Sequence, residues 1–347
     1  MIIHPRAPLT DIKGNGAAGV WFRKEQRLKI GLVGYYNFGN YGDELFAEVY
    51  REVFSDCQIT VLPNINSDPI FDPALVAQQD CIIIGGGDLV IPYAFADLYW
   101  DDVLLTKPVY IIGVGVPTWG GYSKEVVIAM RRFFQHESIK LVTARDPKSR
   151  DWIIKQLQPK VPVTFYPDIV AALNFKRKSH HELTLGIILR AHQDINYSNL
   201  EGLLARAASF GYDIHNIVLG VGKVADDDLP AAEQLNFPFS RIIVRQTIGE
   251  LTDEIARCDV IVSQKFHALV VAMMMGIPCI SLSQSDKFVS WFEFFGKELF
   301  LSLANDQRLP HRLIRPMYEI SAEDVARIKS HAREGLLYAR NSLLGKS

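Results

Sequence analysis

The chain has 347 residues, long for a single hydrophobic core, so its length favours two domains. Lysine plus arginine number 37 against 39 aspartates and glutamates, a net charge of −2, which excludes a strongly basic nucleic-acid face and an acidic disordered chain. No run approaches the ~20 apolar residues of a membrane span, and residues 1–27 lack the apolar stretch of a secretory signal, so a cytoplasmic protein is expected.

Residues 1–27 carry glycine, proline and charge and read as a flexible leader, in which Val20, Trp21 and Phe22 are the groups able to dock. Strand, glycine loop and helix then alternate. Lys29–Tyr35 reads as a strand, Asp43–Phe54 as a helix, and Gln58–Pro63, Cys81–Gly85 and Val109–Gly113 as strands. A helix at Lys124–Gln135, a strand at Lys140–Ala144, a helix at Lys148–Leu157 and a strand at Val163–Tyr166 follow. Continuous β-branched runs alternating with helices predict parallel sheets covered on both faces. The polar, basic tract Asn174–Glu182 marks a linker. The cycle restarts with strand Leu183–Leu189, helix Asn199–Phe210 and strands Asp213–Leu219 and Arg241–Val244. Helix Gly249–Arg257, strand Asp259–Val262, helix Phe266–Met275, strand Pro278–Leu282 and a helix near Lys287–Phe295 complete it, and Ala322–Leu344 is a long amphipathic helix. The expected architecture is α/β: two doubly wound Rossmann-like domains, 28–175 and 183–320, facing a cleft, with a terminal helix over 321–347.

Ligands of open α/β sheets bind beyond the carboxyl ends of the strands, so candidate residues are those that follow strands. The first strand runs into Gly34, Gly39 and Gly42, spaced five and three apart, not as GxGxxG. The second strand ends at Pro63-Asn64 with no carboxylate for a ribose, and Asp43 and Glu44 at the helix start would repel a dinucleotide phosphate. Asp43 is either the helix cap or a carboxylate for sugar hydroxyls and proton abstraction. Gly85-Gly86-Gly87-Asp88 and Gly113-Val114-Gly115 end neighbouring strands and open space there, unless they are plain turns.

In the second half, Ser263-Gln264-Lys265-Phe266-His267 opens a helix that is apolar on every side and therefore buried. A helix start attracts anions, so Lys265 and His267 there make either a phosphate or carboxylate site or a solvated lysine beside a histidine bonded to backbone. Arg190, at a strand end, is suited to bidentate grip of a carboxylate, unless it is an ordinary surface charge. Lys287 can join it or stay a surface charge. Arg145, in Arg145-Asp146-Pro147-Lys148-Ser149, either reaches the cleft or pairs with Asp146. His180 and His181 lie in the polar linker and are expected in solvent. Cys57, Cys81, Cys258 and Cys279 show no metal-ligand spacing, and those beside apolar runs read as buried thiols.

Taken in order, Gly39-Asn40-Tyr41-Gly42-Asp43-Glu44, Gly85-Gly86-Gly87, Arg145-Asp146-Pro147-Lys148-Ser149, Tyr166-Pro167-Asp168, Ser263-Gln264-Lys265-Phe266-His267-Ala268, Gly276-Ile277-Pro278 and Asp286-Lys287 resemble the polysaccharide pyruvyl transferase family over about residues 29–296. The resemblance implies a GT-B-like fold and transfer of pyruvate from phosphoenolpyruvate to paired sugar hydroxyls as a ketal, with no cofactor. Set beside the charges at the strand ends, that reaction makes His267 the expected acid or phosphate ligand, Asp43 the base or acceptor contact, and Arg190, Lys265, Lys287, Asn40, Gly86, Gly87 and Arg145 the expected substrate contacts. The acceptor would be a sugar or a lipid-linked oligosaccharide, the latter bringing the enzyme to a membrane surface. Lys265 stands where the family usually has arginine, which keeps the charge and loses the planar fork. Two alternatives remain: a nucleotide-sugar glycosyltransferase of the same architecture, and a non-catalytic sugar-binding relative.

Overall fold

The structure, a computed structural model, describes residues 27–346 apart from 64–68, 192–196, 236, 239 and 314–317. The predicted leader up to residue 26, with Val20, Trp21 and Phe22, lies outside the described residues, as does Asn64.

Apolar β-branched runs form two parallel sheets. The first holds β1 (Lys29–Val33), β2 (Gln58–Val61), β3 (Cys81–Gly87), β4 (Val109–Val114), β5 (Ile139–Ala144) and β6 (Val163–Phe165), in the order β2-β1-β3-β4-β5-β6. The second holds β7 (Thr184–Ile188), β8 (Asp213–Ile217), β9 (Ser240–Ile243), β10 (Val260–Ser263) and β11 (Cys279–Ser281), ordered β11-β10-β7-β8-β9. β3, β4, β7 and β10 are buried along their whole length, whereas the edge strands β2 and β9 are partly exposed. Chain order reverses between β1 and β3 in the first sheet and between β7 and β10 in the second. Those switch points are where a crevice opens at the strand ends.

The helices of the first half are α1 (Tyr41–Val53), α2 (Pro73–Ala77), α3 (Asp97–Trp100), α4 (Lys124–Phe134) and α5 (Pro147–Gln156). Those of the second half are α6 (Tyr197–Ser209), α7 (Lys223–Gln234), α8 (Ile248–Ala256), α9 (Phe266–Met274), α10 (Asp286–Phe294) and α11 (Ala322–Leu343). Most agree with the sequence reading to within the usual fraying of helix ends. Two differ with consequence. α1 begins at Tyr41 with Asn40 as its cap, so Asp43 lies inside the first turn and is not the cap. α7 was unanticipated, because Asp226, Asp227, Asp228 and Pro230 are poor helix formers; burial of Ala225, Asp228, Ala231 and Ala232 along one side holds it.

The two sheets share one apolar core. Phe46 and Tyr50 of α1, Val170 and Leu173, and Leu269 and Val271 of α9 belong to the same cluster, while a second cluster fills the outer face of the first sheet. α11 crosses back to the first half, burying Ile328, Ala332, Leu336 and Ala339. Ile328 and Leu336 each contribute roughly 1.5–3 kcal/mol on burial, and the alanine methyls roughly 0.8 kcal/mol each. Arg333 Nε donates to the Ala172 carbonyl at 3.1 Å, and Arg340 pairs with Asp56 at 2.5 Å.

Candidate active site

The loop after β1 is fastened across the seam between the halves. Asn40 Oδ1 accepts from the Gly42 N–H at 3.2 Å, so this side chain caps α1. Gly39, at φ +82°, offers its carbonyl to the Val221 N–H at 2.9 Å, an approach that a Cβ would block. Tyr41 Oη meets Thr252 Oγ1 at 2.8 Å. Gly42 has no room for a Cβ because the His267 ring lies against it. At β3, Gly86 abuts the Phe46 ring and Gly87 faces Asp43, so side chains fill the space these glycines leave.

The acidic and basic groups of both halves interlock beyond these strand ends. Asp88 bonds to the buried Arg145 through one oxygen and to Lys287 Nζ through the other, at 2.7 Å for the lysine. Arg145 thus reaches the seam: its Nη1 lies 3.9 Å from Asp168 Oδ2, and its guanidinium stands over the Phe266 ring at 5.3 Å. Asp146 is chiefly the cap of α5, accepting from the Ser149 N–H at 2.7 Å and its hydroxyl at 2.8 Å. Asp168 accepts from the Val170 N–H at 3.0 Å with Oδ1 and turns Oδ2 toward His267 Nε2, 3.5 Å away. Neither of those facing atoms has a hydrogen-bond partner, and both are buried. Phe46 and Phe266 hold the imidazole edge-on, with ring centres 4.9 and 5.2 Å from it.

These surroundings separate the carboxyls electrically. Burial pushes Asp43 up to about 7, with Asp88 and Glu44 adding to the rise and Lys287 and Arg145 opposing it. Burial also works against ionisation of Asp88, but Arg145 and Lys287 outweigh it and hold that carboxyl down at about 2. Asp168 is likewise held below the usual range, since His267 and Arg145 overcome its burial.

Arg190 and Lys265 stand at the switch point of the second sheet, as anticipated, but they do not join His267 in an open cation nest. Lys265 Nζ is bonded to Asp228 and donates to the Leu219 carbonyl at 2.6 Å. Burial lowers its pKa against the pull of Asp228. Asp228 also accepts from the Ala191 N–H at 3.0 Å. Arg190 is exposed, and its backbone N–H donates to Gln264 Oε1 at 2.8 Å. A carboxylate therefore occupies Lys265, and the cations that meet at the seam are Arg145 and Lys287. Asp88 and Asp168 received no role from the sequence, although both end conspicuous motifs; their shared position after strands β3 and β6 was the available signal.

The space left among Arg145, Asp146, Asp168, Phe266, Lys287 and Trp291 is about 10 Å³, enough for about one water. A larger cavity, about 390 Å³, lies at the linker between Arg177–Leu183 and Asp259, away from the strand ends. His180, expected in solvent, there bonds to Asp259 at 2.8 Å, and that bond raises its pKa. Among the described residues no group of His, Cys, Asp or Glu is placed to hold a metal ion, and no helix is long and apolar enough to cross a membrane.

The sequence profile of the polysaccharide pyruvyl transferase family matches residues 40–286. No curated protein matches the chain. Among solved structures, the UDP-N-acetylglucosamine 2-epimerase of Rickettsia bellii superposes with a TM-score of 0.53 at 10% identity, over 91% of this chain and 96% of that one. A glycosyltransferase of Rickettsia africae gives 0.52 at 9% identity, over 93% and 98%. The chain spans 53% of a Streptococcus pneumoniae accessory secretory protein, covering 80% of itself at 12% identity, with a TM-score of 0.44. The first two place the architecture with GT-B glycosyltransferases and epimerases, two Rossmann-like halves about a cleft.

Proposed function

The chain belongs to the polysaccharide pyruvyl transferase family, and from that premise we propose that it moves a pyruvyl group from phosphoenolpyruvate onto paired hydroxyls of a sugar, closing a ketal. The arrangement that carries this reading is His267 facing Asp168 at the seam, with Arg145, Lys287 and Asp43 close enough to feel one another's charge. The donor bears a phosphate and a carboxylate. Arg145 and Lys287 are the groups to hold them, assisted by the free N–H groups at the start of α9. Arg190, exposed at the second switch point, can take an outer phosphate oxygen. Lys265, held by both Asp228 and the Leu219 carbonyl, is assigned no donor contact, whereas Arg145 and Lys287 share the single carboxylate Asp88 and would take the donor as they release it.

His267 gives a proton to the methylene carbon of the donor, leaving an oxocarbenium-like centre, and Asp168 steadies the imidazole. An acceptor hydroxyl attacks that centre while Asp43 takes its proton. Phosphate departs with the proton from Asp43, and the neighbouring hydroxyl closes the ring and returns its proton to His267, so donor and diol yield ketal and inorganic phosphate with no cofactor. The products fit the building of exopolysaccharide or cell-envelope glycans in the cytoplasm, on a sugar or lipid-linked oligosaccharide at the membrane surface.

His267→Ala is expected to lower phosphate release from phosphoenolpyruvate by about 10²–10⁴-fold; near-normal release would remove His267 from the chemistry. The Lys265–Asp228 pair favours one second reading, a non-catalytic sugar-binding relative. Calorimetric titration separates the two, since that relative would show no heat with phosphoenolpyruvate.

A further inference from the structure

Three of the exposed aromatic side chains among the described residues, Phe95, Trp119 and Tyr122, stand on the two loops that leave β3 and β4. Trp119 is 73% exposed and Tyr122 63%. Tyr93, from the first of these loops, packs its ring against Trp119 with centres 5.4 Å apart.

This is an ordered surface. Thr118–Gly120 forms a 3₁₀ turn closed by the Gly121 N–H on the Thr118 carbonyl at 3.0 Å. The Ser123 N–H bonds to the Pro92 carbonyl at 2.9 Å, tying the two loops together, and Gly120 lies so close to the Tyr93 ring that a Cβ would overlap it. The turn is also continuous with the seam. Thr118 donates its hydroxyl to Asp286 at 2.6 Å, and the next residue, Lys287, holds Asp88.

We infer that Tyr93, Trp119 and Tyr122 form a subsite for the sugar rings of an acceptor chain, beyond the hydroxyls that react. The apolar faces of pyranose rings stack on indole and phenol rings, while tyrosine hydroxyls serve the equatorial hydroxyls at the rim. Because the Tyr93 and Trp119 rings already pack together and the two loops are tied by the Ser123–Pro92 hydrogen bond, little ordering is required on binding. A membrane surface is the poorer occupant. Lys124 is matched by the adjacent Glu125 and Lys148 by Asp286, so the patch has no surplus positive charge for anionic headgroups. The identity of the ligand rests on the pyruvyl-transfer reading.

The test titrates the full-length protein with cellohexaose, maltohexaose, xylohexaose and N-acetylchitohexaose by calorimetry and tryptophan fluorescence, alongside Trp119→Ala and Tyr122→Ala. These exposed positions leave the core intact, which a thermal melt verifies. At least one hexasaccharide is expected to bind, about tenfold more weakly to each variant, with phosphoenolpyruvate affinity unchanged. Binding of none of the four, or equal binding by the variants, overturns the subsite. Co-sedimentation with phosphatidylglycerol vesicles that disappears in Trp119→Ala overturns it in favour of a membrane contact. Failure of the wild type to bind phosphoenolpyruvate defeats pyruvyl transfer and leaves the hexasaccharide result standing.

Discussion

Asp43 and Asp88 feel the same cations yet titrate at about 7 and about 2: burial pushes Asp43 up, with the Asp88 charge adding to the rise, whereas Asp88 bonds Arg145 and Lys287 directly and they outweigh its burial. In the unfolded chain Asp43 returns to its ordinary 3.8. Its folded state binds the proton more tightly, so the stability this lends is complete below 3.8 and is lost as pH rises through about 7. Asp88 has the opposite sign: its contribution is present above 3.8 and is lost as pH falls through about 2. Asp43→Asn is therefore expected to be more stable than the wild type at pH 8, by on the order of 1 kcal/mol, and the gap should shrink at pH 5; melts at both values read it. If Asp43 is the base, wild-type transfer climbs with pH through about 7 and the variant loses that limb. A purely structural Asp43 would shift the melts and leave the rate profile alone.

At the scale of elements, sequence patterning located all eleven strands of the described residues, since a short apolar, β-branched run has few other fates. It also marked α9 as buried, and eight of its nine residues are. The failure at α7 had a chemical price, because that helix carries Asp228 and so decides what Lys265 does. Charge at a strand end is visible in a sequence; the counter-charge delivered by a distant helix is not. For Arg145 the sequence left the cleft and a pairing with Asp146 equally open, and the structure has both, with Asp146 Oδ2 4.0 Å from its Nε; its partners Asp88 and Asp168 come from other strand ends and become neighbours only once the sheet order is known. Removing Asp228 should leave the half-buried Lys265 with only the Leu219 carbonyl. Asp228→Ala is expected to cost about 3–5 kcal/mol in urea unfolding, and Lys265→Met combined with Asp228→Leu should recover much of it. An unaltered midpoint in the single variant would show the pair to be incidental.

For the whole molecule, two sheets do not mean two independently stable bodies. The apolar cluster that runs from α1 through Val170 and Leu173 to α9, together with α11 returning to the first half, couples the halves thermodynamically. A single cooperative endotherm is expected by calorimetry; two resolved endotherms would show that the halves melt separately. The same closeness leaves almost no void at the seam, where Asp88 sits between the two cations a donor would want. Under the proposed reaction a dianionic donor meets charges that already have an occupant, so its capture requires Asp88 to let go of Arg145 and Lys287. In such an exchange a doubly charged anion competes with the aspartate better than a singly charged one.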